Sequence, residues 1–476
     1  MGEPYRASWN SLRRHATAEW FRDAKFGIYT HWGVYSVPAC GPNASWYPYN
    51  MYREGTPQHE HHVKVYGGPA KFGYKDFIPL FTGERFDPDE WAEMFRRAGA
   101  KFAGPVGEHH DGFCMWDTSL SEWSAARMGP KRDVVGELEK SVRRAGMKFM
   151  VALHHAENWW FYPHWRKDFD TSDPRYAGLY GEPHDVDGPP AAPPGEDPFF
   201  HQARASRAFL DTWKAKIVEV VDRYQPDLLW FDFGLGRIPE PYQQEALAHY
   251  YNRAAERGRE VAVTYKYHDL PPNTALVDIE LGREEGLTYH EWLTDSTVDD
   301  GEGWGYVADA RYKTAGSLVH YLIDNVSRNG HLLLNVGPRP DGTFPDEAKR
   351  ILEGIGRWLD VNGEAIYATT PWVKAGEGPT KPAKSGPFTE RQALSYTAED
   401  IRFTVKDDAL YAIVMAWPSR SVVIRSLTGA EDVKSVAMLG SEKPLEWTPT
   451  GDGLHVTFPT RRPCDHAYVL KIVRGR

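Results

Sequence analysis

Cysteine is nearly absent, with only Cys40, Cys114 and Cys464 in 476 residues, far apart and without metal-ligand spacing. That excludes a disulfide framework. Long apolar runs are also missing, since no stretch approaches the roughly 20 apolar residues that span a bilayer. The N-terminal MGEPYRASWNSLRRHATAEW lacks the apolar core of a signal peptide. The chain therefore reads as soluble, with no membrane partner, and either cytoplasmic or the processed form of an exported protein. Positive charge is not in excess: 56 Lys and Arg against 66 Asp and Glu give a net charge of -10. This removes the electrostatic basis for a nucleic-acid partner. No glycine-rich dinucleotide fingerprint follows the first strand-like run, and no cofactor is expected.

Aromatic residues, by contrast, are plentiful at 13%, including 18 Trp and 25 Tyr. Rings that stack on sugar faces would account for this, and so would a large aromatic core. The length exceeds one ordinary domain and suggests a large catalytic unit with a smaller companion.

From about residue 25 to 365, short apolar runs alternate with amphipathic helical stretches, the pattern of repeated βα units. Seven strand-like runs begin at Lys25, Lys101, Lys148, Asp227, Glu260, Ala275 and His331. An eighth is inferred in order to close a (β/α)8-like TIM barrel. Helices are predicted from Pro88, Asp133 and Arg204 by apolar spacing at i, i+3 and i+4. The segment from Gly181 reads as a long surface loop, and KAGEGPTKPAKSGP from Lys374 as the boundary region. Short alternating strands follow it, predicting a C-terminal antiparallel β-sandwich. The division is drawn as residues 1–368 and 369–476.

The polar residues in the strand-like runs gather at their C-terminal ends, where barrels build active sites: His31, His109, His110, His154, His155, Asp232, Lys266 and Glu280. Asp232 closes the apolar run LLWFDFG, and burying a lone carboxylate there is costly without a purpose or a partner. A structural salt bridge or helix cap would also satisfy it. Glycosidic cleavage needs two carboxyl groups, one to attack and one to protonate the leaving oxygen. Glu280 in VDIELG has the same form as Asp232 and leads as the second acid. Glu284, Glu285 and Glu291 compete, with Glu291 in HEWLTDS the strongest of these. Adjacent histidines on a strand point to opposite faces, poor geometry for one metal ion, so no metal is expected. Hydrogen bonding to hydroxyls suits His31, His109 and His154 better, because imidazole can donate and accept. The WWFYPHW run from Trp159 reads as a hydrophobic clasp, and Trp46 and Trp304 as walls of the pocket.

Seven collinear blocks make the chain resemble the α-L-fucosidases of glycoside hydrolase family 29 over nearly its whole length. They are AKFGIYTHWGVYSVPA, WYPYNMY, EHHDGFCMWDTSLSEW with GPKRDVVGEL, PDLLWFDFG, WGY at Trp304, HLLLNVGPRPDGTFP and NGEAIY. The resemblance implies a retaining, metal-free enzyme acting on a fucosylated oligosaccharide or glycoconjugate. Asp232 would be its nucleophile and Glu280 its acid/base, with Glu291 the alternative. His31, His109, His110 and His154 would hold sugar hydroxyls, Trp230 and Trp46 would line the pocket, and Trp304 would pack on the C5 methyl. Lys266 stands where the family often has arginine and would be a ligand. Two acids found in many members are replaced by Ser45 and Leu293. These changes leave two other readings, a silent carbohydrate-binding protein on the same scaffold and a preference for a related sugar such as α-L-galactose. No feature of the sequence marks an oligomeric interface.

Overall fold

A computed structural model describes residues 3–301, 303–392, 394–429 and 432–475. Eight parallel strands close into a barrel in chain order: β1 (Phe26–Thr30), β2 (Phe102–Glu108), β3 (Lys148–Leu153), β4 (Leu228–Phe231), β5 (Ala262–Lys266), β6 (Leu276–Asp278), β7 (Trp292–Thr297) and β8 (Gly330–Asn335). Closure is made by β8 against β1, with Leu332 opposite Phe26 and Asn335 opposite Tyr29. Strands covered on both faces read as continuous apolar runs, which is why seven of them stand out in the sequence. The eighth is β7. Four of its six residues, Thr294, Asp295, Ser296 and Thr297, are polar, yet all six are buried.

Alternation along each strand decides which side chains face inward. Met150 and Ala152 of β3, Leu228 and Trp230 of β4, Leu293 of β7 and Leu333 of β8 join one cluster inside the barrel. Their neighbours Phe149, Val151, Leu229 and Phe231 join the larger core between barrel and helices. That layer includes α1 (Pro88–Arg97), α2 (Val134–Arg144), α3 (Arg207–Tyr224), α4 (Glu240–Glu256), α5 (Ala315–Val326) and α6 (Asp346–Asn362). Asp87, Asp133, Ser206 and Thr314 cap α1, α2, α3 and α5 through side-chain oxygens that accept backbone N–H bonds. No helix lies between β5 and β6 or between β6 and β7. The uncovered flank opens as a groove along Ala262, Val263, Leu276 and Val277. Among the described residues no helix is long and apolar enough to cross a membrane.

The C-terminal part carries a five-stranded antiparallel sheet, order β13-β16-β11-β10-β9, and a three-stranded one, order β12-β15-β14. Their strands are β9 (Thr370–Glu377), β10 (Ile401–Lys406), β11 (Ala409–Val414), β12 (Ser421–Ile424), β13 (Val433–Met438), β14 (Trp447–Thr450), β15 (Gly453–Thr457) and β16 (Tyr468–Arg474). Phe403, Leu410, Ile424, Leu454, Val456 and Leu470 from both sheets share one core, which makes the unit a sandwich. Of the stretch from Lys374 read as the boundary region, Lys374 to Glu377 lie in β9, which pairs with β10.

A buried charge hub joins the two parts. Asp324 of α5 accepts from Arg402 of β10 (Nε, 2.6 Å), Arg328 (Nη1, 2.6 Å) and Arg283 (Nη1, 3.2 Å), and none of the four side chains is more than 8% exposed. Burial alone would raise the Asp324 pKa, but the three guanidinium groups hold it well below the usual carboxylate range. Removing one partner of such a cluster leaves uncompensated buried charge and costs about 3–5 kcal/mol. Asp324→Ala should therefore lose about that much in chemical denaturation, with the sandwich and barrel melting in separate steps. A loss within ~1 kcal/mol would show that the hub is not stabilising.

Candidate active site

The inward positions continue past the strand ends at the C-terminal mouth. Counting by twos, Tyr29 leads to His31, Ala152 to His154, Trp230 to Asp232, Leu276 to Asp278 and Glu280, Leu293 to Asp295, and Leu333 to Asn335. On β2 the register slips between Val106 and Glu108. This bulge leaves Glu108 outside the barrel, 2.6 Å from Lys216 of α3, and delivers His109 to the mouth. One pocket of about 260 Å³ results, lined by Tyr29, His31, Ser45, Trp46, His109, His154, Trp230, Asp232, Phe233, Glu280, Asp295 and Trp304. Imidazole, indole and carboxyl groups thus converge on one small concave site at the barrel mouth.

Asp232 Oδ2 lies 2.9 Å from His154 Nδ1 and 3.2 Å from His110 Nε2. Burial would raise its pKa, but these two imidazoles hold it well below the usual range, so it is ionised. His110 Nδ1 faces the carbonyl oxygen of His154 at 2.8 Å. Nδ1 therefore donates to that carbonyl, which orients the ring with Nε2 facing Asp232. Burial pushes the pKa values of His31, His109 and His154 down, giving neutral rings. His31 Nδ1 lies 2.9 Å from Asn335 Oδ1, while His109 Nδ1 and His154 Nε2 have no partner within the protein. One nitrogen from each of these three rings lies within 4.8 Å of the others, a spacing that suits neighbouring hydroxyls or a metal ion.

Beneath the pocket Lys266 Nζ is surrounded by carboxyl groups: Asp295 Oδ1 at 2.6 Å, Glu280 Oε2 at 3.3 Å and Asp278 Oδ1 at 3.7 Å. Burial would strip its proton, but these acids hold its pKa well above the usual value. Burial and the neighbouring Asp295 push Asp278 well above the carboxylate range, and Trp230 Nε1 donates to it at 2.5 Å. Tyr29 donates to Asp295 at 2.9 Å. Glu280 is pushed up to about 8, first by burial, which the charge of Lys266 partly offsets and those of Asp295 and Asp232 reinforce. Lys266 is thus held as an ammonium, with Asp295 Oδ1 at 2.6 Å, beside Glu280, which keeps its proton near neutral pH.

Of the residues singled out in the sequence, His31, Trp46, His109, His154, Trp230, Asp232, Glu280 and Trp304 line the pocket. His110 stands behind Asp232, and Lys266 is buried among its acids. Glu291 is a correction. It precedes β7, at the N-terminal end of the barrel, and pairs with Arg22 at 3.2 Å, so it cannot replace Glu280. The Trp159–Trp160 pair is buried, both indoles donating to the Ala203 carbonyl, as a clasp would be. Asp278, Asp295, Tyr29 and Asn335 were not foreseen, although counting by twos from the apolar interior positions would have found them.

The α-L-fucosidase family model matches residues 2–364, and the α-L-fucosidase C-terminal domain model matches residues 395–473. The chain is 31% identical to the tissue α-L-fucosidase of Bos taurus over 98% of its own length and 91% of that protein. The plasma α-L-fucosidase of Homo sapiens gives the same three figures. Among solved structures, the α-fucosidase of Thermotoga maritima in complex with fucose superposes with a TM-score of 0.77, at 31% identity, over 98% of this chain and 100% of that one. The same enzyme with a mechanism-based inhibitor gives 0.78, at 31% identity, over 99% and 100%. A parallel barrel that gathers Asp232 and Glu280 in one pocket at its C-terminal mouth, together with these relatives, marks a glycosidase. The chain belongs to the α-L-fucosidase family.

The charges around Glu280 set its titration, which carboxyl-carbon NMR can follow. Removing the negative charge in Asp232→Asn should move the Glu280 pKa down from about 8. Removing the positive charge in Lys266→Met should move it up. Shifts of the opposite sign would contradict the charge arrangement described.

Proposed function

We propose that the protein releases α-L-fucose from fucosylated glycans by a retaining, two-step displacement. The carrying observation is that one pocket holds Asp232 ionised and Glu280 protonated near pH 7. In the first step Asp232 attacks C1, the bond from C1 to the leaving oxygen breaks, and Glu280 gives its proton to that oxygen. A fucosyl ester on Asp232 and a free alcohol result. Esterification removes the Asp232 charge that helps to raise Glu280, so the Glu280 pKa falls and its carboxylate becomes a base. Glu280 then takes a proton from water, which attacks C1, expels Asp232 and returns fucose in its original α configuration.

His31, His109 and His154 are assigned to the sugar hydroxyls as neutral donors and acceptors. His110 is assigned to holding Asp232, and Lys266 to fixing the charge on Glu280. Trp46, Trp230 and Trp304 form the walls, with Trp304 8% exposed and tilted against His31 at 5.4 Å. Residues 1–368 are assigned as the catalytic unit and 369–476 as its companion. Support comes from the fucose complex of the Thermotoga relative and from the paired acids, which are what hydrolysis requires and a purely binding protein does not.

Because Glu280 must be protonated to act, kcat/KM on fucosides should be retained below about pH 8 and fall as the pH rises through it. Glu280→Gln should abolish that limb. A basic limb that persists in this variant would remove Glu280 from the role. Asp232→Ala should lower kcat by at least ~10³-fold, while NMR of the wild-type reaction should show the α-anomer first. A β-anomer as first product, or wild type and variant equally inert yet equally able to bind fucose, would overturn the reading.

A further inference from the structure

The strand that delivers Glu280 is weakly built. β6 has three residues, shares one ladder pair with β7, Asp278 with Leu293, and is not followed by a helix. Glu280 lies beyond its end, and the next residue, Leu281, is held at φ 44°, a left-handed conformation that costs a non-glycine residue about 1–3 kcal/mol. Such a segment keeps one shape only if its surroundings impose it.

On its inner side the segment is tied to β7. Ile279 N donates to Leu293 O at 2.8 Å, Leu281 N to Asp295 O at 3.0 Å and Gly282 N to Thr294 Oγ1 at 3.1 Å. On its outer side it is tied to the excursion between β9 and β10, which belongs to the sandwich. Phe388 N donates to the carbonyl of Glu280 itself at 2.8 Å and Glu390 N to that of Leu281 at 2.7 Å. Arg283 and Gly386 exchange backbone bonds, and Thr389 Oγ1 and Ser385 Oγ accept from Arg283 N and Glu285 N. The excursion is anchored in turn by the Glu390 side chain, which is 8% exposed. Its carboxylate accepts from Lys313 Nζ at 2.7 Å and from Ser296 Oγ at 2.9 Å, and Ser296 is the β7 residue next to Asp295. Glu390 therefore links the Glu280 segment to β7, holding Leu281 through its backbone N–H and Ser296 through its side chain.

We infer that Glu390, contributed by the second domain, is the positioning residue that aims the proton donor Glu280. This rests on the proton-donor role proposed above. Loosening the anchor leaves Asp232 and the histidines in place, because they stand on other strands, and moves the acid relative to the leaving oxygen. A misplacement of ~1 Å can cost ~10²-fold. The loss falls on substrates whose leaving group must be protonated and spares those that depart as stable anions.

The test compares kcat/KM for a methyl α-L-fucoside, which needs the proton, with that for a 2,4-dinitrophenyl α-L-fucoside, which does not. It is run on the full chain as wild type, Glu390→Gln and the milder double variant Ser385→Ala with Thr389→Val. The methyl to dinitrophenyl ratio should fall at least ~10-fold in Glu390→Gln and in the same direction in the double variant. Equal losses on both substrates, or a lowered melting temperature with an unmoved ratio, would show a merely structural role and overturn the inference. If wild type hydrolyses neither substrate, or Glu280→Gln leaves the ratio unmoved, the proton-donor assignment itself fails, a result distinguishable from failure of Glu390 alone.

Discussion

A carboxylate stays ionised inside a protein only when its surroundings compensate the lost hydration, and Asp232 is compensated by two imidazoles at 2.9 and 3.2 Å. Everything else in the pocket is arranged around that charge. The charge helps keep Glu280 protonated, and its loss on ester formation would release Glu280 to act as a base. A second compensated group, Lys266 among Asp278, Glu280 and Asp295, lies beneath and stops the extra acids from adding net negative charge that would oppose Asp232. Two carboxyl groups thus hold different protonation states in one pocket because their partners differ, imidazoles for one and an ammonium shared with competing acids for the other.

The barrel makes this possible because parallel strands send all their C-terminal ends to one face. Alternation then selects every second residue for the interior. His31, His154, Asp232, Asp278, Glu280, Asp295 and Asn335 all extend inward positions that are apolar lower in the barrel. The β2 bulge is the one break in the pattern, and it exchanges Glu108 for His109 at the mouth.

Much of this was legible in the sequence. Asp232 and the histidines stand at the ends of short apolar runs, so their strand and their face could both be read. β7 could not be read, because its buried face is filled by Thr, Asp and Ser whose partners come from distant strands, and a local pattern carries no record of such partners. Missing β7 meant missing Asp295, and it left Glu291, at the wrong end of that strand, as a rival acid. The second domain was legible as short alternating strands. The return of its β9–β10 excursion to the barrel was hidden, because the proline and glycine in that stretch mark only a boundary region. The structure instead uses their lack of regular pairing to let the backbone bond with the equally irregular segment around Glu280.

Ser45 and Leu293, where the resemblance implies acids, take different places in the structure. Leu293 packs in the apolar interior, and two residues further along the same face Asp295 brings a carboxylate to the pocket. Ser45 Oγ lines the pocket without a partner inside the protein. The lining of the pocket therefore holds three acids, Asp232, Glu280 and Asp295.

The central claim, that Asp232 is the group that bonds to the sugar, is tested most directly by covalent capture. The protein is treated with an activated 2-deoxy-2-fluoro-α-L-fucosyl donor, which slows breakdown of the ester, and digested peptides are sequenced by mass spectrometry. The account predicts one fluorofucosyl unit per chain, carried by Asp232. A unit on any other residue, or rapid release of the donor's leaving group with no ester ever captured, would contradict it.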